Sequence, residues 1–118
     1  MCPEHARIGI VDDDVDVRES IRRFLRMSGH EVVAEAGSLK EALLLASRLN
    51  YLDVEVLLLD GNLGESNEDW REVLEAVSHY APGVKVVAFS SNPMDDPRVV
   101  KFEKFNQPSE LGALISKL

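Results

Sequence analysis

The chain has 118 residues, 45% hydrophobic and 29% charged, which suits one folded domain with a buried core and excludes a disordered chain. Its net charge of −8, from 21 acidic against 13 basic residues, argues against direct binding to nucleic acid or an anionic membrane, since both call for a basic face. No apolar run approaches a membrane span, the acidic stretch Asp12 to Asp14 is unlike a signal peptide, and the lone Cys2 can form no internal disulfide, so a cytoplasmic setting is expected.

Ala6 to Val11 reads as a strand that runs into Asp12, Asp13 and Asp14. From Val15 to Ser28 the apolar residues Val17, Ile21, Phe24 and Leu25 recur at helical spacing, and Gly29 is placed to end that helix. Arg18, Arg22, Arg23 and Arg26 in the same stretch read as a solvated helix face, with a docking surface for an acidic partner as the alternative. Glu31 to Ala36 is a second strand. Ser38 to Glu41 is a capping box, and Ala42, Leu45, Ala46 and Leu49 carry the helix it starts. Val54 to Leu59 is almost continuously apolar, as a strand covered on both faces must be, and it ends in Asp60.

Residues 61–64 read as a loop. Ser66 or Asn67 caps a third helix, with Trp70, Val73, Leu74 and Val77 on one face. Val84 to Phe89 is a fourth strand ending in Ser90. Val99 to Glu103 fits a fifth strand, whereas Asp96-Pro97, a cap followed by a first-turn proline, would instead start a short helix over 98–105. Leu111, Leu114, Ile115 and Leu118 mark a final helix.

Repeated β-α units specify a parallel sheet with helices on both faces, and such sheets place their sites outside the carboxyl ends of the strands. Asp12, Asp13, Asp60 and Ser90 all fall there, from three different strands. Carboxylates about 4 Å apart repel by on the order of 4 kcal/mol per pair at an effective dielectric near 20, and a hard divalent cation removes that penalty. Mg²⁺ fits a site of one or two carboxylates with positions left for water and phosphate oxygens, and the lack of nearby His or Cys disfavours zinc. A carboxylate beside the cation can act as nucleophile toward phosphorus, and Asp60, alone at the tip of the most apolar strand, suits that part. Asp12 and Asp13 suit the metal ligands, Ser90 offers a hydroxyl, and Lys104 is the candidate lysine.

IVDDD (Ile10 to Asp14), LLLDGNL (Leu57 to Leu63), VVAFSS (Val86 to Ser91) and Lys104 carry a resemblance to the receiver domain of two-component response regulators. The resemblance covers essentially the whole chain, residues 1–118. It implies a flavodoxin-like α/β fold with strand order 2-1-3-4-5. It also implies Asp60 as phosphoacceptor and as a ligand of Mg²⁺, Asp12 and Asp13 as the acidic pair for that cation, and Asn62 as a further ligand through its backbone carbonyl. Ser90 resembles the hydroxyl that follows the phosphoryl group, and Lys104 the lysine that contacts it. The implied partners are a sensor histidine kinase or a histidine phosphotransfer protein, then a downstream protein. A homodimer through the first or final helix is left open. EVVAEAGSLKEAL is similar to receivers joined to helix-turn-helix output domains, but this sequence runs from Met1 to Leu118 without one, so a stand-alone signalling phosphoacceptor, not an enzyme on other substrates, is expected.

Two departures stand out. Phe105 follows the lysine where the family has proline, and only residues 91–103 separate Ser90 from Lys104, so the fourth helix is expected to be missing or reduced to a turn. These departures favour a rival reading, a degenerate receiver that acts as a phosphorylation-independent interaction module. Another rival is a haloacid-dehalogenase-type phosphohydrolase using Asp12 within Asp12-Asp13-Asp14, which would leave Asp60 idle. Of the three histidines, none is given a role.

Overall fold

Strands and helices alternate through the described part of the chain, which in this computed structural model is residues 6–60, 69–89 and 99–102. The elements are β1 (Arg7–Val11), α1 (Val15–Met27), β2 (Glu31–Ala36), α2 (Leu39–Ala46), β3 (Val56–Leu59), α3 (Asp69–Tyr80), β4 (Lys85–Phe89) and β5 (Val99–Phe102). All neighbouring strands pair in parallel, in the order β2-β1-β3-β4-β5, which is the flavodoxin-like sheet the sequence implies. No helix among the described residues is long and apolar enough to cross a membrane.

Strand alternation sorts the core onto the two faces of the sheet. Ile8, Ile10, Val56, Leu58 and Val87 point to one side and meet Ile21 and Leu25 of α1. Val11, Leu57, Leu59, Val86 and Ala88 point to the other and meet Ala42 and Leu45 of α2 and Trp70, Val73, Leu74 and Val77 of α3. Every residue of β3 is buried, so the apolar run has the physical reason expected for it. Trp70 is part of this core, as its helical spacing suggests.

β5 settles the choice left open for the end of the chain. Val86 to Phe89 pair in parallel with Val99 to Phe102, so residues 99–102 extend the sheet and the alternative helix is excluded there. The β-branched Val99 and Val100 favour this outcome. Residues 90–98 join the two strands and lie outside the described residues. Three helices, α1, α2 and α3, stand among the described residues, and the fourth, expected to be missing or reduced to a turn, would fall in this stretch. The final helix expected around Leu111 to Leu118 also lies outside the described residues.

Local signals account for most boundaries. Asp14 caps α1, its carboxylate accepting from the N–H groups of Asp16 at 2.9 Å and Val17 at 3.3 Å. Gly29, at φ 88°, turns the chain out of α1 in a conformation that costs other residues more. Ser38 caps α2 through the Glu41 N–H, while the Glu41 side chain reaches back one residue further than a standard capping box, to the Gly37 N–H at 2.8 Å. Two helix faces differ from expectation. Phe24 is only half-covered, because the buried stripe of α1 is centred on Ile21 and Leu25. α2 stops at Ala46, yet Leu49 is fully buried, carried inward by turns in which the Arg48 N–H bonds Leu45 O and the Val54 N–H bonds Leu49 O.

The pairing of β1 with β2 slips by one residue, since Ile8 faces Val32 but Gly9 faces Ala34. The extra residue puts two consecutive side chains, Val33 and Ala34, against the same α2–α3 core, while Val32 packs on the α1 side. Glu35 consequently comes out on the α1 side, where its carboxylate lies 3.4 Å from Arg18 Nε and 2.8 Å from Arg22 Nη1. Arg23 pairs with Glu19 at 2.9 Å, so three of the four arginines of α1 are engaged within the chain.

His30, given no role by the sequence, has a structural one. It is buried, and its Nδ1 accepts the Ala6 N–H at 3.0 Å, while its backbone N–H donates to Leu25 O at 2.9 Å. It pins the start of β1 to the end of α1. Replacing His30 with alanine strands the buried Ala6 N–H and should cost about 1–3 kcal/mol. Urea unfolding followed by circular dichroism checks this; an unchanged midpoint and slope would contradict it.

Candidate functional site

The carboxyl ends of β1 and β3 are adjacent because those strands pair in parallel from Ile8–Val56 to Val11–Leu59. The residue after each strand is an aspartate, and the backbone holds both in place. The Asp60 N–H donates to Val11 O at 2.9 Å, and the Asp12 N–H donates to Ala36 O at 3.0 Å. Asp12 and Asp60 are 1% and 2% exposed, whereas the neighbouring Asp13 is open to solvent. Carboxylate oxygens of Asp12, Asp13 and Asp60 all lie within 4.8 Å of one another. The three aspartates singled out at the strand ends thus lie together.

Asp12 and Asp13 are not the cap of α1, since Asp14 fills that position. One Asp12 oxygen, Oδ1, accepts the Asp14 N–H at 2.9 Å, which orients the carboxylate from the helix side. The Asp12 carbonyl accepts from Arg18 Nη1 at 2.6 Å. Sequence reasoning treated Arg18 as one member of a solvated basic face and missed this contact, which no spacing rule signals. Asn62, Ser90 and Lys104 lie outside the described residues, although β4 ends at Phe89, directly before Ser90.

Chemically, the cluster is a hard-oxygen donor set with two buried walls and one wet side. Carboxylates separated by about 5 Å at an effective dielectric near 20 repel by roughly 3 kcal/mol per pair, and a protein that buries two of them together needs a compensating charge. An oxygen-only set open to water on one side fits a hard cation that keeps part of its hydration shell, as Mg²⁺ does.

Comparison with known proteins agrees with the geometry. The family model described as "Response regulator receiver domain" matches residues 8–105. The chain belongs to that family.

Among curated proteins, this receiver is 45% identical over 58 residues to the nitrate/nitrite response regulator protein NarP of Escherichia coli (strain K12). That match spans 48% of the chain and only 26% of NarP, so the relative is much longer than the matched region. A CheY-like receiver domain protein from Methanospirillum hungatei JF-1 has a solved structure with TM-score 0.78 and 22% identity, covering 96% of this chain and 92% of that one. The signal receiver domain of the putative response regulator NarL from Mycobacterium tuberculosis is similar at TM-score 0.77 and 26% identity, over 98% and 96% of the two chains.

Asp13 is the exposed member of the cluster, and no hydrogen bond through its side chain holds the described fold together. In Mg²⁺-free buffer with a chelator, Asp13→Asn should raise the melting midpoint by roughly 3–6 °C through relief of repulsion. The gain should shrink in 1 M salt, where screening is short-ranged. Differential scanning fluorimetry reads both effects, and a lowered midpoint at low salt would contradict the repulsion.

Proposed function

We propose that this receiver accepts a phosphoryl group on Asp60 from a sensor histidine kinase or a histidine phosphotransfer protein, with Asp12 and Asp13 holding the Mg²⁺ on which the transfer depends. The observation that supports it most is the position of Asp60, buried at the end of β3 with two further carboxylates within 4.8 Å. The step forms a P–O bond to an Asp60 oxygen and breaks the P–N bond of the donor phosphohistidine, whose imidazole leaves neutral after taking a proton. Bound Mg²⁺ supplies charge neutralisation for the phosphoryl oxygens. Asp12 and Asp13, together with the Asn62 backbone carbonyl, are the groups to hold it. In the same reading Ser90 contacts the phosphoryl group after transfer, and Lys104 pairs with it.

Burial explains why Asp60, and not Asp13, is the acceptor. A nucleophile buried at a strand end reaches phosphorus only from a donor seated over the strand ends, which restricts adventitious reaction. The result is a population shift between two conformations that a downstream protein distinguishes. A cytoplasmic setting, protein rather than nucleic-acid partners, and an open option of homodimerisation belong to this reading. Catalysis is confined to the domain's own phosphorylation and dephosphorylation.

The phosphorylation-independent interaction module is the second reading, favoured by Phe105 after Lys104 and by the short connection over 90–98. Intact-protein mass after incubation with acetyl phosphate and Mg²⁺ separates the two. A phosphoryl adduct that requires Mg²⁺ and is absent from Asp60→Asn is expected. A folded wild-type protein that binds Mg²⁺ and gains no adduct would favour the interaction module.

A further inference from the structure

Both main-chain polar atoms of Asp12 are tied down, and by different parts of the chain. The N–H reaches Ala36 O at the end of β2, at 3.0 Å. The carbonyl takes the Arg18 guanidinium at 2.6 Å, a short, charge-assisted bond from the second turn of α1. Arg18 is not a free surface arginine; its side chain is 17% exposed, and Glu35 of β2 lies 3.4 Å from its Nε. That Nε is buried without a hydrogen bond of good geometry, so the guanidinium is aimed by its Nη1 bond to Asp12 at the expense of its fit to Glu35.

Gly37 provides the space. A Cβ at that position would stand 2.5 Å from Arg18 Nη1, the very nitrogen that bonds the Asp12 carbonyl. Any side chain there pushes the guanidinium off the carbonyl. Glu41 fixes the same loop by accepting the Gly37 N–H at 2.8 Å. Thus α1, the end of β2 and the start of α2 meet at the Asp12 main chain.

We propose that Arg18 is a positioning residue for the acidic site, setting the Asp12 main chain so that its carboxylate is presented to the divalent cation, and that Gly37 is the residue that permits it. The inference rests on the cation-dependent reading of Asp12, Asp13 and Asp60. Two effects of the guanidinium oppose each other. Its positive charge weakens cation binding, while its Nη1 bond strengthens binding by holding Asp12 in place, as hydrogen-bond partners of metal ligands do. The positioning role is the larger one, because a misplaced ligand loses a direct bond to the cation whereas the charge is already shared with Glu35.

The variants Arg18→Ala, Arg18→Lys and Gly37→Ala, each checked for cooperative melting, are titrated with Mg²⁺ alone by isothermal titration calorimetry. Arg18→Ala should weaken Mg²⁺ on the order of 10-fold. Arg18→Lys, which keeps the charge and loses the Nη1 bond, should weaken it in the same direction. Gly37→Ala should do likewise, and its combination with Arg18→Ala should be no worse than Arg18→Ala alone, since both remove one contact. If an Arg18 variant does not fold, Gly37→Ala, which retains the guanidinium, decides the matter. Affinities within twofold of wild type in folded variants would overturn the proposal. So would tighter binding by Arg18→Ala with Arg18→Lys unchanged, which marks a pure charge effect. A wild-type protein that binds no Mg²⁺ would overturn the cation site itself and this inference with it.

Discussion

The fold is organised around a repulsion. Two aspartates are buried side by side at the carboxyl edge of a parallel sheet, with a third at the rim. Repulsion between carboxylates this close makes such an arrangement costly by kilocalories. It persists because the surrounding structure over-determines it. β1 and β3 bring the two backbones into register, the Asp60 N–H is tied to Val11, and Asp12 is held at its N–H, its carbonyl and one carboxylate oxygen. The apolar layers on both faces of the sheet supply the driving force that makes this strain tolerable. In a protein of this size, stability and site chemistry draw on the same few residues.

The two faces divide the labour. Among the described residues, the α2–α3 face carries the larger apolar core. The α1 face is smaller and mixed, with Ile21 and Leu25 below and the Arg18–Glu35–Arg22 ion group above. That polarity lies on the side of the sheet next to Asp12. An exposed ion pair contributes little to stability, and Arg23–Glu19 is of that kind. The Arg18–Glu35 pair is more enclosed, and its value lies in geometry and not in binding energy.

Much of this was legible in the residues alone. The strands announce themselves by short apolar runs, α1 and α3 by spacing, and the three aspartates by their position after strands. β5 was a choice between a cap-and-proline signal and β-branched residues, and pairing with β4 decided it. What was not legible shares one cause. His30 takes its role from Ala6, far away in sequence, Leu49 from irregular turns that no spacing rule describes, and Arg18 from a backbone carbonyl whose direction no residue type encodes. Periodicity reports which face a side chain occupies, and it is silent about what that face meets. The α2 helix shows the limit well: spacing carried Leu49 to the correct burial through a stretch that is not helical.

The slip between β1 and β2 ties the chemistry of the site to an arithmetic property of the chain. Strand faces alternate by parity, so the one surplus residue on β2 decides whether Glu35 stands beside α1 or turns into the apolar layer under α2. Composition could drift widely along EVVAEA without changing that outcome, whereas losing a single residue would invert it, burying a carboxylate and leaving Arg18 without its neighbour. Substitution and deletion in this strand are therefore different kinds of event, the first local and graded, the second felt at the acidic edge of the sheet.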